Sequence, residues 1–111
     1  MRAFAARIVT IMILAALPGH AARAQEGSAG AGLAYAKTIC VECHAIRSGE
    51  QASPNPKAPP FPKIANTPGI TGAALFVILQ TPHRDMPDFI IPAKEKADVV
   101  AYILSLQDTQ N

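Results

Sequence analysis

Residues 40–44 read CVECH, and this segment restricts the possible folds more than any other part of the chain. Two cysteines with two residues between them, followed directly by a histidine, occur in zinc sites, in redox dithiols, in disulfides and where a prosthetic group is attached covalently. Each of these uses requires a different architecture around it. The rest of the sequence must therefore supply further metal ligands, neighbouring strands or an apolar pocket.

The N-terminal segment has the features of a secretory signal peptide. Arg2 and Arg7 precede an apolar run at 8–17, and the small residues Ala22 and Ala24 stand where a signal peptidase recognises its substrate. The run has only about half of the roughly 20 residues that a membrane-spanning helix needs. We therefore expect cleavage near Ala24, export to the periplasm and no stable membrane insertion afterwards.

Cleavage would divide the chain into a signal peptide, residues 1–24, and one small domain, residues 25–111. This domain has seven basic and eight acidic residues, and without clustered basic side chains we expect no nucleic-acid partner. It has no tryptophan and keeps three of the four phenylalanines. A domain of about 60 residues buries only about 60% of its unfolded surface. A covalent link, a metal or a large apolar cofactor is therefore needed to complete the core.

Hydrophobic spacing predicts an all-α fold with three main helices and a proline-rich loop. We expect the first helix over about 30–43, the second from a cap at Thr71 to about Gln80, and the third over about 93–107. The third has the clearest amphipathic stripe, formed by Val99, Tyr102, Ile103 and Leu106. Six prolines between 48 and 68 exclude a long regular element there and leave a stiff loop with room for one short turn.

Three interpretations of CVECH meet physical objections. A structural zinc site needs four nitrogen or sulfur ligands, and the domain offers only Cys40, Cys43, His44 and the distant His83. A thioredoxin-like dithiol lies beside strands, and no strand is predicted. A disulfide between the two cysteines is permitted in an oxidising compartment, but it closes too short a loop to stabilise the fold much.

Covalent haem attachment accounts for every residue of the motif. On a helix, Cys40, Cys43 and His44 would project from one side. Two thiols can then bond the vinyl groups at one edge of a porphyrin, while the adjacent imidazole reaches the iron. An export signal and a core-poor domain both favour this interpretation.

Two residues of the domain could provide the second axial ligand. Met86 is the only methionine of residues 25–111, and it stands before Pro87 in the link between the second and third helices. A lone methionine can instead fill a core. His83 is the only histidine besides His44, and it is the less favoured candidate because it suits a polar loop position equally well.

The sequence resembles the bacterial class I c-type cytochromes, which carry one haem with histidine and methionine ligands. CVECH stands near the start of the domain, HRDMPDF resembles the distal methionine loop, and DVVAYILSL resembles the last helix. The likeness covers about residues 28–107. It implies that Cys40 and Cys43 form thioether bonds to one haem c, and that His44 and Met86 are its axial iron ligands.

The resemblance also implies two contacts within the fold. The first and last helices are expected to cross, with a small residue such as Gly32 or Ala36 against Tyr102. A carbonyl of Pro59 or Pro60 is expected to accept a hydrogen bond from the proximal imidazole, which raises its basicity. Many relatives place an aromatic residue four positions before the first cysteine, and this chain departs from that pattern by having Tyr35 five positions before it.

The function implied is that of a periplasmic single-electron carrier between a respiratory dehydrogenase or cytochrome complex and an oxidase or reductase. With both axial positions filled, no site is left for oxygen or peroxide, so catalysis at the iron is disfavoured. One alternative is a cytochrome subunit bound tightly to a periplasmic dehydrogenase. Another is a haem enzyme or gas-binding protein in which Met86 is displaced.

A carrier must also meet its partners through some part of its surface. We expect a modest basic rim near the haem edge, facing an acidic patch on the partner. The available basic side chains are Lys37, Arg47, Lys57, Lys63, Arg84, Lys94 and Lys96.

The thin core predicts that the domain folds only with its haem. We expect the double variant Cys40→Ala/Cys43→Ala, purified free of haem, to show weak helical circular dichroism and no cooperative thermal transition. The haem-loaded wild-type protein is the control and should melt cooperatively. A haem-free variant with a sharp transition would contradict the prediction.

Overall fold

The computed structural model describes residues 26–83 and 85–108. Over these residues the chain forms four α-helices and one 3-10 turn without any β-strand, which confirms the predicted all-α class. In chain order the elements are α1 (Ala29–Thr38), the 3-10 turn (Cys40–Glu42), α2 (Phe61–Ala65), α3 (Gly72–Ile78) and α4 (Ala93–Ser105). The signal peptide at 1–24 and its cleavage near Ala24 lie outside the described residues. Within the described part of the chain, no helix is long and apolar enough to cross a membrane.

The helices begin where local side-chain chemistry favours a start. The hydroxyl of Ser28 accepts the backbone N–H of Ala31 at the start of α1, and the hydroxyl of Thr71 accepts that of Ala74 at the start of α3. The predicted cap at Thr71 is therefore confirmed. Pro60 directly precedes α2 and Pro92 directly precedes α4, and the N–H that proline lacks is not needed at the beginning of a helix.

The first helix is shorter than predicted, because α1 ends at Thr38 and does not continue to Cys43. Ile39 leaves the helical path with φ −119° and ψ −54°. Thr38 and Ile39 are both β-branched and therefore poor helix formers, and the Thr38 hydroxyl donates to the carbonyl of Tyr35 at 2.7 Å. Cys40 thus begins a 3-10 turn, Cys43 follows that turn directly, and neither lies on an α-helix. The other two helices end two residues earlier than predicted, within the usual uncertainty of helix ends.

Helices α1 and α4 cross at very close range, and glycine permits the approach. A Cβ atom at Gly32 would overlap the carbonyl oxygen of Asp98 and would lie 2.8 Å from the Cβ of Tyr102. A Cβ atom at Gly27 would likewise overlap the carbonyl of Ala97. The expected contact between a small residue of the first helix and Tyr102 is therefore confirmed at Gly32.

A buried carboxylate joins the beginning of α1 to α4. Asp98 is 4% exposed, and it accepts the backbone N–H of Ser28 at 2.7 Å and the ammonium group of Lys94 at 2.6 Å. The hydrogen bond from Lys94, followed by that from Ser28, lowers the pKa of Asp98 below its ordinary value. The charge is therefore both buried and fully paired, as burial of a carboxylate requires.

The core is built on the predicted face of α4. Val99, Tyr102 and Ile103 are buried, while Leu106 is half-buried at the edge of the same cluster. The hydroxyl of Tyr102 donates to the carbonyl of Ile46 at 2.6 Å inside the core. Helix α4 thereby holds the segment that follows CVECH.

The glycine at the helix crossing should not tolerate a methyl group. We expect Gly32→Ala to lower the free energy of unfolding by about 1–3 kcal/mol or more, because the added Cβ meets backbone atoms that cannot rotate away. Gly30→Ala is the matched control, since a Cβ there meets only the Ser28 hydroxyl at 3.9 Å. This control should be neutral or stabilising by about 0.5–1 kcal/mol, because alanine is the better helix former. Denaturant titration measures the unfolding free energy of both variants. Equal changes in Gly32→Ala and Gly30→Ala would contradict the close crossing of the helices.

The buried hydroxyl of Tyr102 should contribute measurably to stability. Tyr102→Phe leaves the Ile46 carbonyl without its donor, so we expect a loss of about 1–3 kcal/mol in unfolding free energy. Tyr35→Phe makes the same chemical change on a half-buried side chain whose hydroxyl has no hydrogen bond to the described residues. The Tyr35 variant should therefore unfold within about 0.5 kcal/mol of the wild type.

Candidate functional site

An apolar cavity of about 270 Å³ opens between CVECH, helices α2 to α4 and the loop before α4. Its floor is made of core side chains, among them Phe61, Leu75, Val99 and Ile103. The predicted site residues all line it: Cys40, Cys43, His44 and Met86, together with the alternative ligand His83. Residues that are separated by up to 46 positions in the sequence are thus brought to one cavity.

The CVECH turn is held by main-chain hydrogen bonds. The N–H groups of Cys43 and His44 both donate to the carbonyl of Cys40, at 3.1 and 2.9 Å. The carbonyl of Cys43 in turn accepts the N–H of Asn55 from the proline-rich loop at 3.1 Å. The turn therefore presents its two thiols and its imidazole to the cavity although it is not part of an α-helix.

The ring of His44 has a defined orientation. Its Nδ1 lies 2.8 Å from the carbonyl oxygen of Pro59, which can only accept a hydrogen bond. Nδ1 therefore carries the proton and donates it, and the lone pair is left on Nε2. Between the two prolines allowed by the sequence, the structure selects Pro59, whereas the carbonyl of Pro60 accepts the backbone N–H of Ile64 in α2. The ring also contacts Phe61, with centroids 5.4 Å apart.

The two cysteines are free thiols in a half-buried, apolar setting. Burial raises the pKa of Cys40 to about 11, so its thiol stays protonated at neutral pH. A protonated thiol is a poor redox nucleophile. Among the described residues, no cluster of three or more His, Cys, Asp and Glu side chains is arranged to hold a metal ion directly. This environment gives no support to the zinc and dithiol interpretations.

A second wall of the cavity, formed by the link between α3 and α4, carries both candidates for the second ligand. The backbone N–H of Met86 donates to the carbonyl of His83 at 3.2 Å, which places the two residues in one turn. Nδ1 of His83 lies 2.9 Å from the carbonyl of Thr81. Both side chains line the cavity, so lining alone does not choose between a thioether and an imidazole.

One ion pair connects the two walls at the surface. Lys57 in the proline-rich loop lies 3.5 Å from Asp85, beside Met86, and both side chains are about two-thirds exposed. Exposed pairs of this kind contribute about 0–1 kcal/mol. The relative position of the walls therefore depends mainly on the core beneath them.

These residues fit a haem held through two thioether bonds. The cavity is apolar, and its lining includes two thiols, an imidazole with a free Nε2 and a thioether. At the mouth, Ile78 and Phe89 are 39% and 47% exposed although both line the cavity. Large apolar side chains exposed around an opening mark a binding site for an apolar group.

Sequence reasoning missed the residues that support His44 from behind. Phe61 and the carbonyl of Ile46 connect the proximal segment to Tyr102 on α4. The phenylalanine of the motif KAPPF was a partial indication that an aromatic ring supports His44. The Ile46 carbonyl gave none, because every residue has a backbone acceptor.

Comparison with known proteins identifies a bacterial relative of the chain. No protein-family model matches the chain, and no solved structure does. The sequence is 33% identical over 97 residues to cytochrome c-552 of Bradyrhizobium diazoefficiens, and the match covers 87% of this chain and 92% of that protein. Identity at this level over nearly the whole of both sequences, together with the CVECH cavity, establishes the family. The chain belongs to the small bacterial c-type cytochromes, which are electron-transfer proteins with a covalently bound haem c.

Proposed function

We propose that the protein is a periplasmic single-electron carrier whose haem is bonded to Cys40 and Cys43 and ligated by His44 and Met86. The observation that carries this proposal is the convergence of these four side chains on one apolar cavity. The bound haem supplies the chemistry, which is the exchange of one electron between ferrous and ferric iron. The chain supplies attachment, axial ligation and exclusion of water.

His44 is proposed as the proximal ligand because its hydrogen bond prepares it for the iron. Donation from Nδ1 to the Pro59 carbonyl fixes the tautomer in which Nε2 carries the lone pair. The same bond raises the basicity of the ring and holds its plane. Phe61, packed against the imidazole, limits its rotation.

Met86 is proposed as the distal ligand in preference to His83. The uncharged thioether suits an apolar cavity better than the polar imidazole does. The carbonyl of Thr81 holds His83 through Nδ1 within its own turn, and Pro87 stiffens the chain directly after Met86. A methionine ligand stabilises ferrous iron and raises the reduction potential relative to a second histidine.

The proposed location and partners rest on the sequence. Residues 1–24 have the pattern of a cleaved export signal, and residues 25–111 would form the exported domain. A periplasmic one-electron carrier would accept electrons from a respiratory dehydrogenase or cytochrome complex and deliver them to an oxidase or reductase. A chain that co-elutes with a dehydrogenase on gel filtration of native periplasm would instead be a subunit of that enzyme.

Substitution of Met86 tests the distal ligand directly. In Met86→Ala we expect the ferric protein to lose the weak sulfur-to-iron charge-transfer band at the red end of its spectrum. The reduction potential should fall, because the donor that favours ferrous iron has gone. The reduced variant should also bind carbon monoxide, which the wild type should resist.

His83→Ala is the matched control on the same turn, and it should keep the charge-transfer band and the potential. Met86→His should stay low-spin and six-coordinate but with a lower potential than the wild type. Loss of the sixth ligand in His83→Ala, with an unchanged Met86→Ala spectrum, would reverse the assignment. Rapid carbon monoxide binding by the wild type would favour a gas-binding protein over a carrier.

A further inference from the structure

The proline-rich loop directly before α2 has few backbone donors, because proline lacks an N–H group. In the segment 54–60, only Asn55, Lys57 and Ala58 carry a backbone N–H. All three of these groups form hydrogen bonds within the chain, and Asn55 takes part in every one of the three bonds. The backbone donors of this segment are therefore all tied to one residue.

Asn55 holds the turn that leads to Pro59. Its side-chain Oδ1 accepts the N–H of Lys57 at 2.9 Å, and its carbonyl accepts the N–H of Ala58 at 3.0 Å. The first bond closes an Asx turn, and the second closes a β-turn, in which asparagine is favoured at the first position and proline at the second. Asn55 and Pro56 have this pattern. The turn is therefore closed by a side chain as well as by the backbone.

Both ends of this turn are bonded to the CVECH segment. At one end, the N–H of Asn55 donates to the carbonyl of Cys43 at 3.1 Å, directly before His44. At the other end, the carbonyl of Pro59 accepts the hydrogen bond from Nδ1 of His44 at 2.8 Å. The backbone at Pro59 has little freedom of its own, because its ring fixes φ and the proline that follows it restricts ψ. A change in the turn is therefore passed on to the distance between the carbonyl oxygen and Nδ1.

We propose that Asn55 is a positioning residue for His44, because its side-chain oxygen holds the turn that places the Pro59 carbonyl against Nδ1. This proposal rests on the proposed function, in which His44 ligates the haem iron. A hydrogen bond donated from Nδ1 makes the imidazole more electron-rich, and such a ligand favours ferric over ferrous iron. Asn55 thus acts on the reduction potential through the path of the loop.

Asn55→Ala removes the side-chain acceptor and leaves the backbone bonds of the turn available. We expect the Nδ1 proton of His44 to exchange with solvent about fivefold faster, because the turn opens more easily without this hydrogen bond. Proton NMR of the reduced, haem-loaded protein measures the exchange rate. The reduction potential should rise, since a less electron-rich imidazole favours ferrous iron. Absence of either change would overturn the proposal.

Thr71→Ala is the matched control, because it also removes a side-chain oxygen that accepts a backbone N–H, in this case that of Ala74 at 3.1 Å. It should lower the overall stability but keep the potential and leave the exchange rate of the His44 proton within about twofold of the wild type. Equal acceleration of exchange in Thr71→Ala and Asn55→Ala would show general loosening of the fold and would overturn the proposal.

Asn55→Asp is the conservative variant, because it keeps an acceptor oxygen for the N–H of Lys57. It should therefore keep the wild-type exchange rate of the His44 proton. Its added negative charge favours ferric iron, so the potential should fall, which is opposite to the change expected in Asn55→Ala. Exchange as fast in Asn55→Asp as in Asn55→Ala would count against the role of the side-chain oxygen and would overturn the proposal.

The same NMR spectra separate this proposal from the proposed function. In the reduced wild type, the ring protons of His44 should be shifted strongly upfield by the ring current of the haem that this residue ligates. Ring protons without this shift would refute ligation by His44 and would overturn both proposals. Shifted ring protons together with an Asn55→Ala variant that behaves like the wild type would refute only the positioning role of Asn55.

Discussion

The close crossing of α1 and α4 is the contact on which the rest of the molecule depends. Gly32 lets the two backbones meet at Asp98, and this fixes where Tyr102 stands on α4. Tyr102 then reaches the Ile46 carbonyl through its hydroxyl and Phe61 through its ring, with ring centroids 6.3 Å apart. Phe61 in turn packs against His44. The position of the His44 imidazole therefore depends on the distance between these two helices as well as on the Pro59 carbonyl.

Sequence patterns predicted the parts of this arrangement that depend on local or repeating signals. The stripe on α4 follows from helical periodicity, and the beginning of α3 follows from the hydroxyl of Thr71, which can accept a backbone N–H. The spacing within CVECH indicated its chemistry because that spacing must match the attached group. In each case the signal is contained in residues close to one another along the chain, so the folded structure adds little to it.

The features that the sequence did not decide depend on competition or on distant parts of the chain. The residue at which α1 ends depends on competition between a longer helix and the local hydrogen bond from the Thr38 hydroxyl to the Tyr35 carbonyl. The two outcomes differ little in free energy. Pro59 and Pro60 both offer a carbonyl, and the path of the folded loop selects between them. The distribution of free positive charge could not be predicted either, because Asp98 and Phe76 engage lysines of α4 only after folding.

The two walls of the cavity differ in how they can evolve. The acceptor that orients His44 is the main-chain oxygen of Pro59, and every amino acid supplies such an oxygen. A point mutation at position 59 can move this oxygen but cannot delete it, so the acceptor of the His44 hydrogen bond is protected against loss. The candidate ligands on the link before α4, Met86 and His83, are side chains, so a single substitution can remove either of them. Among related proteins, the acceptor that orients this imidazole should therefore vary less than the chemistry of that link.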